Sequence, residues 1–277
     1  MMKFNVNARI LAAFVAAFVC GAAPVYSAPE NQSCDTPNRE VINQVSLLQG
    51  LTFGDYNGTV PVGQLKKLGD IGIGTFDRLN GELIMLDGVI YRANHEGKTA
   101  VVPDDETVPF ANVTFLDADE SFELTGIKNI GVLKEELNKK VRASGSNHFY
   151  MVRIDGTFAK IGFRSEYAQK KPYKPLAKVL ETDQTFFERE NVTGTVVGLY
   201  CPDYMSSLNA VGWHFHFITD DKKSGGHVFE VNSDRLNVKM DRTDGFAMAL
   251  PDNEMFNAFD LTVDQSADIK KVETGEK

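Results

Sequence analysis

Gly212-Trp213-His214-Phe215-His216-Phe217-Ile218 alternates with the period of a β-strand. Residues two apart on a strand share a face, so His214 and His216 point one way while Trp213, Phe215 and Phe217 pack the other way. The polar, glycine-ended stretch Asp220–Gly226 reads as a reversal, and His227 opens the following strand. A hairpin of this form returns His227 beside the first pair. Two histidines on a strand are, taken alone, as well explained by packing or exposure. A third across a tight turn shifts the balance, because three converging imidazoles hold a divalent metal and leave a coordination position open. The chain has only five histidines. His95 and His148 stand apart from this group and read as structural or exposed. A three-imidazole set suits zinc best, with iron, manganese, nickel and copper as alternatives. Glu230, three residues past His227, belongs to the opposite strand face and is discounted as a fourth ligand.

Outward from this hairpin the pattern stays strand-rich. Thr193–Tyr200, His227–Val231 and Arg235–Met240 read as strands. Phe149–Ile154 and Thr157–Phe163 read as two more, around a turn at Asp155-Gly156. Thr182–Val192 reads as helical or irregular. Ile130, Val132, Leu133, Leu137 and Val141 recur at helical spacing and predict a helix over Ile127–Val141. Further upstream, Gly72–Phe76, Glu82–Leu86 and Val89–Arg92 are strands separated by Asn80-Gly81 and Asp87-Gly88, both hairpin dipeptides. Phe110–Leu116 and Phe122–Leu124 are further strand candidates. Glu40–Leu51 carries a weak helical pattern, and Val60–Leu68 reads as a short helix. Pro172 and Pro175 mark a domain boundary. The expected architecture is mixed α/β in two domains: an N-terminal mixed sheet with helices over residues 40–175, and a β-rich metal-binding domain over 176–277.

The N-terminus has the form of a targeting segment. Lys3 and Arg9 precede the apolar run Ile10–Ala23, and Val25-Tyr26-Ser27 offers small residues for cleavage. Residues 1–27 are expected to be a cleaved signal peptide and 28–39 a polar tether. The run is short for a membrane span, which needs about 20 apolar residues. Export to a periplasmic or extracellular compartment follows, with no stable membrane insertion after cleavage. Cleavage removes Cys20, leaving Cys34 and Cys201, which an oxidising compartment allows to pair. The formal charge of −9, with 29 basic against 38 acidic residues and no basic run, argues against a nucleic-acid partner.

Several ordered blocks make the sequence resemble the bacterial alpha-acetolactate decarboxylase family. They are Trp213–Phe217 followed by Asp221–Val228, Gly54–Pro61, Gly69–Phe76, Leu79–Gly88, Pro109-Phe110-Ala111 and Phe163-Arg164. The resemblance runs from about Val45 to the C-terminus. It implies a two-domain α/β fold, a homodimer through the N-terminal sheet, and loss of CO2 from 2-acetolactate to give acetoin. It also implies roles: His214, His216 and His227 as zinc ligands, Glu82 and Arg164 as active-site residues, and Thr75 on the substrate side. Glu273 falls where the family has a catalytic glutamate in its C-terminal tail, with Glu276 close by.

The chemistry is consistent with those residues. Acetolactate carries a ketone β to its carboxylate, so departure of CO2 leaves an electron pair on the carbon between them. A metal bound through the ketone and hydroxyl oxygens can take up that charge, with no need for a thiamine or pyridoxal electron sink. A planar guanidinium such as Arg164 suits the carboxylate. A carboxylic acid must then return a proton, for which Glu82 and Glu273 are the candidates. Alone, a glutamate after an Asn-Gly turn or a single arginine would be unremarkable surface chemistry. Two other readings remain: a different three-histidine metal-dependent lyase or oxygenase, and an exported metal-binding protein without turnover.

Overall fold

The computed structural model describes residues 38–265 and residue 269. The signal-peptide expectation, the tether apart from Asn38 and Arg39, Cys34, Glu273 and Glu276 lie outside them. In chain order the elements are β1 (Val41–Val45), α1 (Leu48–Phe53), β2 (Val60–Pro61), α2 (Val62–Leu65), β3 (Ile71–Thr75), β4 (Glu82–Leu86), β5 (Val89–Ala93), β6 (Thr99–Val101), β7 (Thr107–Val108), β8 (Phe110–Thr114) and β9 (Glu120–Ile127). There follow α3 (Ile130–Ser144), β10 (Phe149–Glu166), α4 (Leu176–Thr182), β11 (Gln184–Cys201), β12 (Gly212–Thr219), β13 (Gly225–Thr243), β14 (Gly245–Ala249) and α5 (Glu254–Ala258). No helix among the described residues is long and apolar enough to cross a membrane.

The strands form a seven-stranded sheet, in the order β14-β1-β8-β3-β4-β5-β6, and a five-stranded sheet, β10-β11-β12-β13-β9, in which β10 also pairs with β13. The two sheets share one core. Ile42, Ile73 and Ile84 of the first pack with Met151, Val197 and Ile218 of the second, all essentially sealed from water. Each such side chain contributes roughly 1.5–3 kcal/mol through burial. The far face of the second sheet is covered by α3, whose Leu133, Leu137 and Val141 recur every four residues and are buried. Asn129 starts that helix by accepting a hydrogen bond from the Val132 N–H, the usual N-cap arrangement.

Several expectations are corrected here. Strand membership crosses the expected boundary at residue 175: β9 and β10 belong to the second sheet, β14 returns to pair with β1, and the described residues fall in one compact unit. Glu40–Leu51 is not one helix. Its first half is β1, and the chain turns at Ser46, φ 62°, before α1 begins. Val60–Leu68 contains only the short α2, preceded by β2. Asp155-Gly156 makes no turn, because β10 runs straight through it. Gly156 is there because a Cβ would lie 2.7 Å from a methyl of Leu236 on β13. Thr182–Val192 is mostly strand, the first half of β11. Cys201 is a free thiol, wholly enclosed in the core between the sheets.

A buried carboxyl makes the stability pH-dependent. Asp241 on β13 is 1% exposed, and its Oδ2 has no hydrogen-bond partner. Burial, reinforced by the charges of Asp117, Glu40 and Asp119, pushes its pKa from 3.8 up to about 7. A folded state that holds this proton more tightly than the unfolded chain loses stability as pH rises across that interval. Asp241→Asn is therefore expected to raise the melting temperature well above neutrality and to leave it little changed in acid. Thermal scans across the interval test this; an unaltered pH slope in the variant would refute it.

Candidate metal centre and cavity

Strand register assembles the site. His216 on β12 pairs directly with His227 on β13, and Arg164 on β10 lies opposite His227 from the other side. Gly226 permits this close approach, since a Cβ there would meet the Arg164 carbonyl at 2.4 Å. His214 lies two residues before His216, on the same strand face. The three imidazoles converge as the sequence predicts, with ligand atoms all within 4.8 Å of one another. His214 Nε2 is 3.0 Å from His216 Nε2 and 3.1 Å from His227 Nδ1. The Glu230 carboxylate turns back to accept from the Val231 N–H and lies outside the group. His95 stacks on Tyr167, and His148 faces Asp244 at 3.1 Å, both away from this cluster.

The donor set fits a divalent metal for a reason visible in its hydrogen bonding. Burial holds all three imidazoles neutral: His214 falls to about 3, with the Arg164 charge adding to the effect, and His216 and His227 fall well below 6.5. His216 donates from Nδ1 to the Leu83 carbonyl of β4 at 2.7 Å, so its Nε2 carries a bare lone pair. His214 Nε2 has either one hydrogen or one lone pair. Neither choice gives it a linear hydrogen bond to both neighbours. A divalent cation held by the three nitrogens would satisfy their lone pairs together, which no single hydrogen-bonding arrangement does. The Leu83 carbonyl acts as the outer partner that fixes ring orientation in metal sites.

The cavity beside these imidazoles brings together the other residues singled out from the sequence. Thr75, Glu82, Arg164, His214 and His227 line it, and His216 contacts two of these, His214 and Glu82. Glu82 follows the turn at Gly81, pairs with Thr75 across β3 and β4, and places Oε2 3.4 Å from His216 Nε2. Thr75 donates its hydroxyl hydrogen to the Gly81 carbonyl at 2.8 Å, leaving that oxygen to accept. Leu48, Leu51, Leu79, Phe110, Leu176 and Leu180 supply an apolar wall.

Two residues at the site were missed. Glu166 also lines the cavity, 4% exposed, and its buried Oε2 has no hydrogen-bond partner. Its signal was available, since it lies two residues past Arg164 on one strand face. The other is Gln184, which accepts from Arg164 Nη1 at 3.3 Å; it falls where a strand was not expected.

A family model of alpha-acetolactate decarboxylase matches residues 42–263. The alpha-acetolactate decarboxylase of Methanosarcina mazei is 39% identical over 246 residues, covering 88% of this chain and 84% of that protein. The Brevibacillus brevis protein of the same name is 33% identical over 267 residues, covering 94% and 93%. The crystal structure of the Bacillus subtilis strain 168 alpha-acetolactate decarboxylase superposes with a TM-score of 0.80 at 33% identity, over 84% of this chain and 99% of that one. The fold is thus the mixed α/β fold of these carboxy-lyases. The chain belongs to the alpha-acetolactate decarboxylase family.

Proposed function

We propose that this protein removes CO2 from 2-acetolactate to give acetoin, using a divalent metal held by His214, His216 and His227. The observation that carries this reading is the convergence of three neutral imidazoles, His216 and His227 buried and His214 half-buried, on a cavity that also presents Arg164 and Glu82. A cation bound there supplies Lewis-acid stabilisation of the charge that develops on the ketone and hydroxyl oxygens. Zinc is the metal we propose, given three nitrogen donors and an open position.

The protein's own groups do the rest. Arg164, buried beside the imidazoles, pairs with the substrate carboxylate and orients the bond to be broken. That carbon–carbon bond cleaves, CO2 leaves, and its electron pair stays on the carbon bearing the hydroxyl. Glu82 delivers a proton to that carbon and regains one from water, which closes the proton balance. Thr75 offers its hydroxyl oxygen as an acceptor for the substrate hydroxyl. The leucine and phenylalanine wall receives the two methyl groups and limits water around the electron-rich carbon. Glu273 is proposed as a second acid from the C-terminal tail. Export after cleavage near Ser27, and a homodimer through the first sheet, complete the reading.

The test is direct. Purified protein is given 2-acetolactate, and acetoin is measured before and after chelation and after zinc is restored. Acetoin release that chelator abolishes and zinc recovers is expected; release indifferent to chelator would remove the metal from the reaction.

A further inference from the structure

The hairpin that carries all three imidazoles has a turn organised by one hydroxyl. β12 and β13 pair directly at only three positions: His216 with His227, Phe217 with Gly226 and Ile218 with Gly225. Two of the three partners on β13 are glycines, and a strand without side chains to pack specifies its register weakly. The long ladder between β13 and β10 gives this end limited support. It shifts register between Gly162 and Phe163, which leaves only Phe163 with Val228 and Arg164 with His227 on the near side. The placing of His227 thus depends on how the chain turns between Thr219 and Gly225.

Thr219, 6% exposed, ends β12. Its Oγ1 accepts from the backbone N–H groups of Lys223 at 3.3 Å and Ser224 at 3.1 Å, and gives its hydrogen to Asp221 Oδ1 at 2.7 Å. One donor and two lone pairs are all that a hydroxyl has. The main chain of Thr219 is engaged as well. Its N–H donates to the Ser224 carbonyl, and its carbonyl accepts from Lys222, which takes the left-handed conformation at φ 57°. On its outer side the turn is clasped by the first sheet. Ser224 Oγ donates to the Gly97 carbonyl at 2.8 Å, and the Thr99 N–H of β6 donates to the Lys223 carbonyl at 3.1 Å. A slip of one residue would put the His227 ring on the other face of the sheet, and a slip of two would carry it about 7 Å along the strand. Either removes a donor from the cluster. We infer that Thr219 is a positioning residue for the metal centre: its hydroxyl sets where β12 turns back and so holds His227 against His216. This rests on the reading of the three histidines as metal ligands. Valine at 219 would keep the branched shape but deny the Lys223 and Ser224 N–H groups this acceptor. Serine would keep the hydroxyl.

The experiment compares metal-free wild type, Thr219→Val and Thr219→Ser. Zinc affinity is measured by competition with a chromophoric chelator, and the visible spectrum of the cobalt(II)-loaded proteins reports the geometry around the ion. Amide hydrogen exchange over Gly225–Val228 is followed without metal. Thr219→Val is expected to bind zinc about ten- to a hundredfold more weakly, the scale for losing a group that orients a ligand from outside the ligand set. Its cobalt spectrum should change in band position and intensity, and its hairpin amides should exchange faster. Thr219→Ser should stay close to the wild type in all three. Wild-type zinc affinity and cobalt spectrum in Thr219→Val would overturn the inference, even if its melting temperature fell, since that is the mark of a merely structural role. Equal impairment of Thr219→Ser would also overturn it, by placing the effect in the methyl group. A wild type that bound no zinc would defeat the metal reading instead. Faster hairpin exchange in Thr219→Val, restored in Thr219→Ser, would then still sustain the hold of the hydroxyl on His227.

Discussion

His216→Ala is expected to lose bound metal and turnover together. His216 is the innermost of the three imidazoles, 0% exposed, with one nitrogen tied to the Leu83 carbonyl and the other facing His214. Alanine removes a ligand and leaves a void that the sealed surroundings cannot fill with another donor. Lewis-acid stabilisation is worth several kcal/mol, and each 1.36 kcal/mol is a factor of ten, so acetoin release should fall by at least on the order of 10³-fold. Elemental analysis of the same preparation should show substoichiometric metal. A variant that kept full metal, or kept its rate without metal, would break the link between the imidazole cluster and the reaction.

Glu82→Gln should separate metal binding from chemistry. The amide keeps the size and most of the hydrogen-bonding shape of the carboxylate but cannot give up a proton. Metal content should therefore hold, while kcat drops by roughly 10²–10⁴-fold, the scale of general acid catalysis. The 3.4 Å approach of its Oε2 to His216 Nε2 makes the metal measurement essential. If metal and rate fell in proportion, Glu82 would be supporting the metal rather than supplying the proton. Wild-type turnover in this variant would be incompatible with a proton-donating role.

What could be read from the sequence, and what could not, follows from burial. The histidine hairpin was legible because β12 keeps an unbroken apolar alternation, with Trp213, Phe215 and Phe217 all in the core behind α3. The helix α3 was legible for the same reason at its own period. The first half of β11 was not, because it pairs only with β10: β12 begins its pairing at Gly194. An edge with water on one side carries Glu188, Arg189 and Glu190 without penalty, and the alternation is lost. Gln184 lies in that half, so it was missed with it. β1 was hidden differently. Its buried positions include Gln44, a polar residue whose amide is satisfied by the carbonyls of Ser46 and Leu208. The return of β14 to the first sheet was not legible either, because its parallel pairing with β1 is a long-range event with no local mark.

The contact between His216 and Leu83 has a consequence for mutational scanning. The oxygen that orients this imidazole belongs to the peptide backbone. No exchange of the Leu83 side chain can delete it, so a scan of single substitutions would record position 83 as packing alone. A mutational map of this protein would thus show three histidines and leave unseen the atom that aims one of them. Only a change in the main chain itself, such as an ester at that linkage or a shift in the register of β4, would expose it.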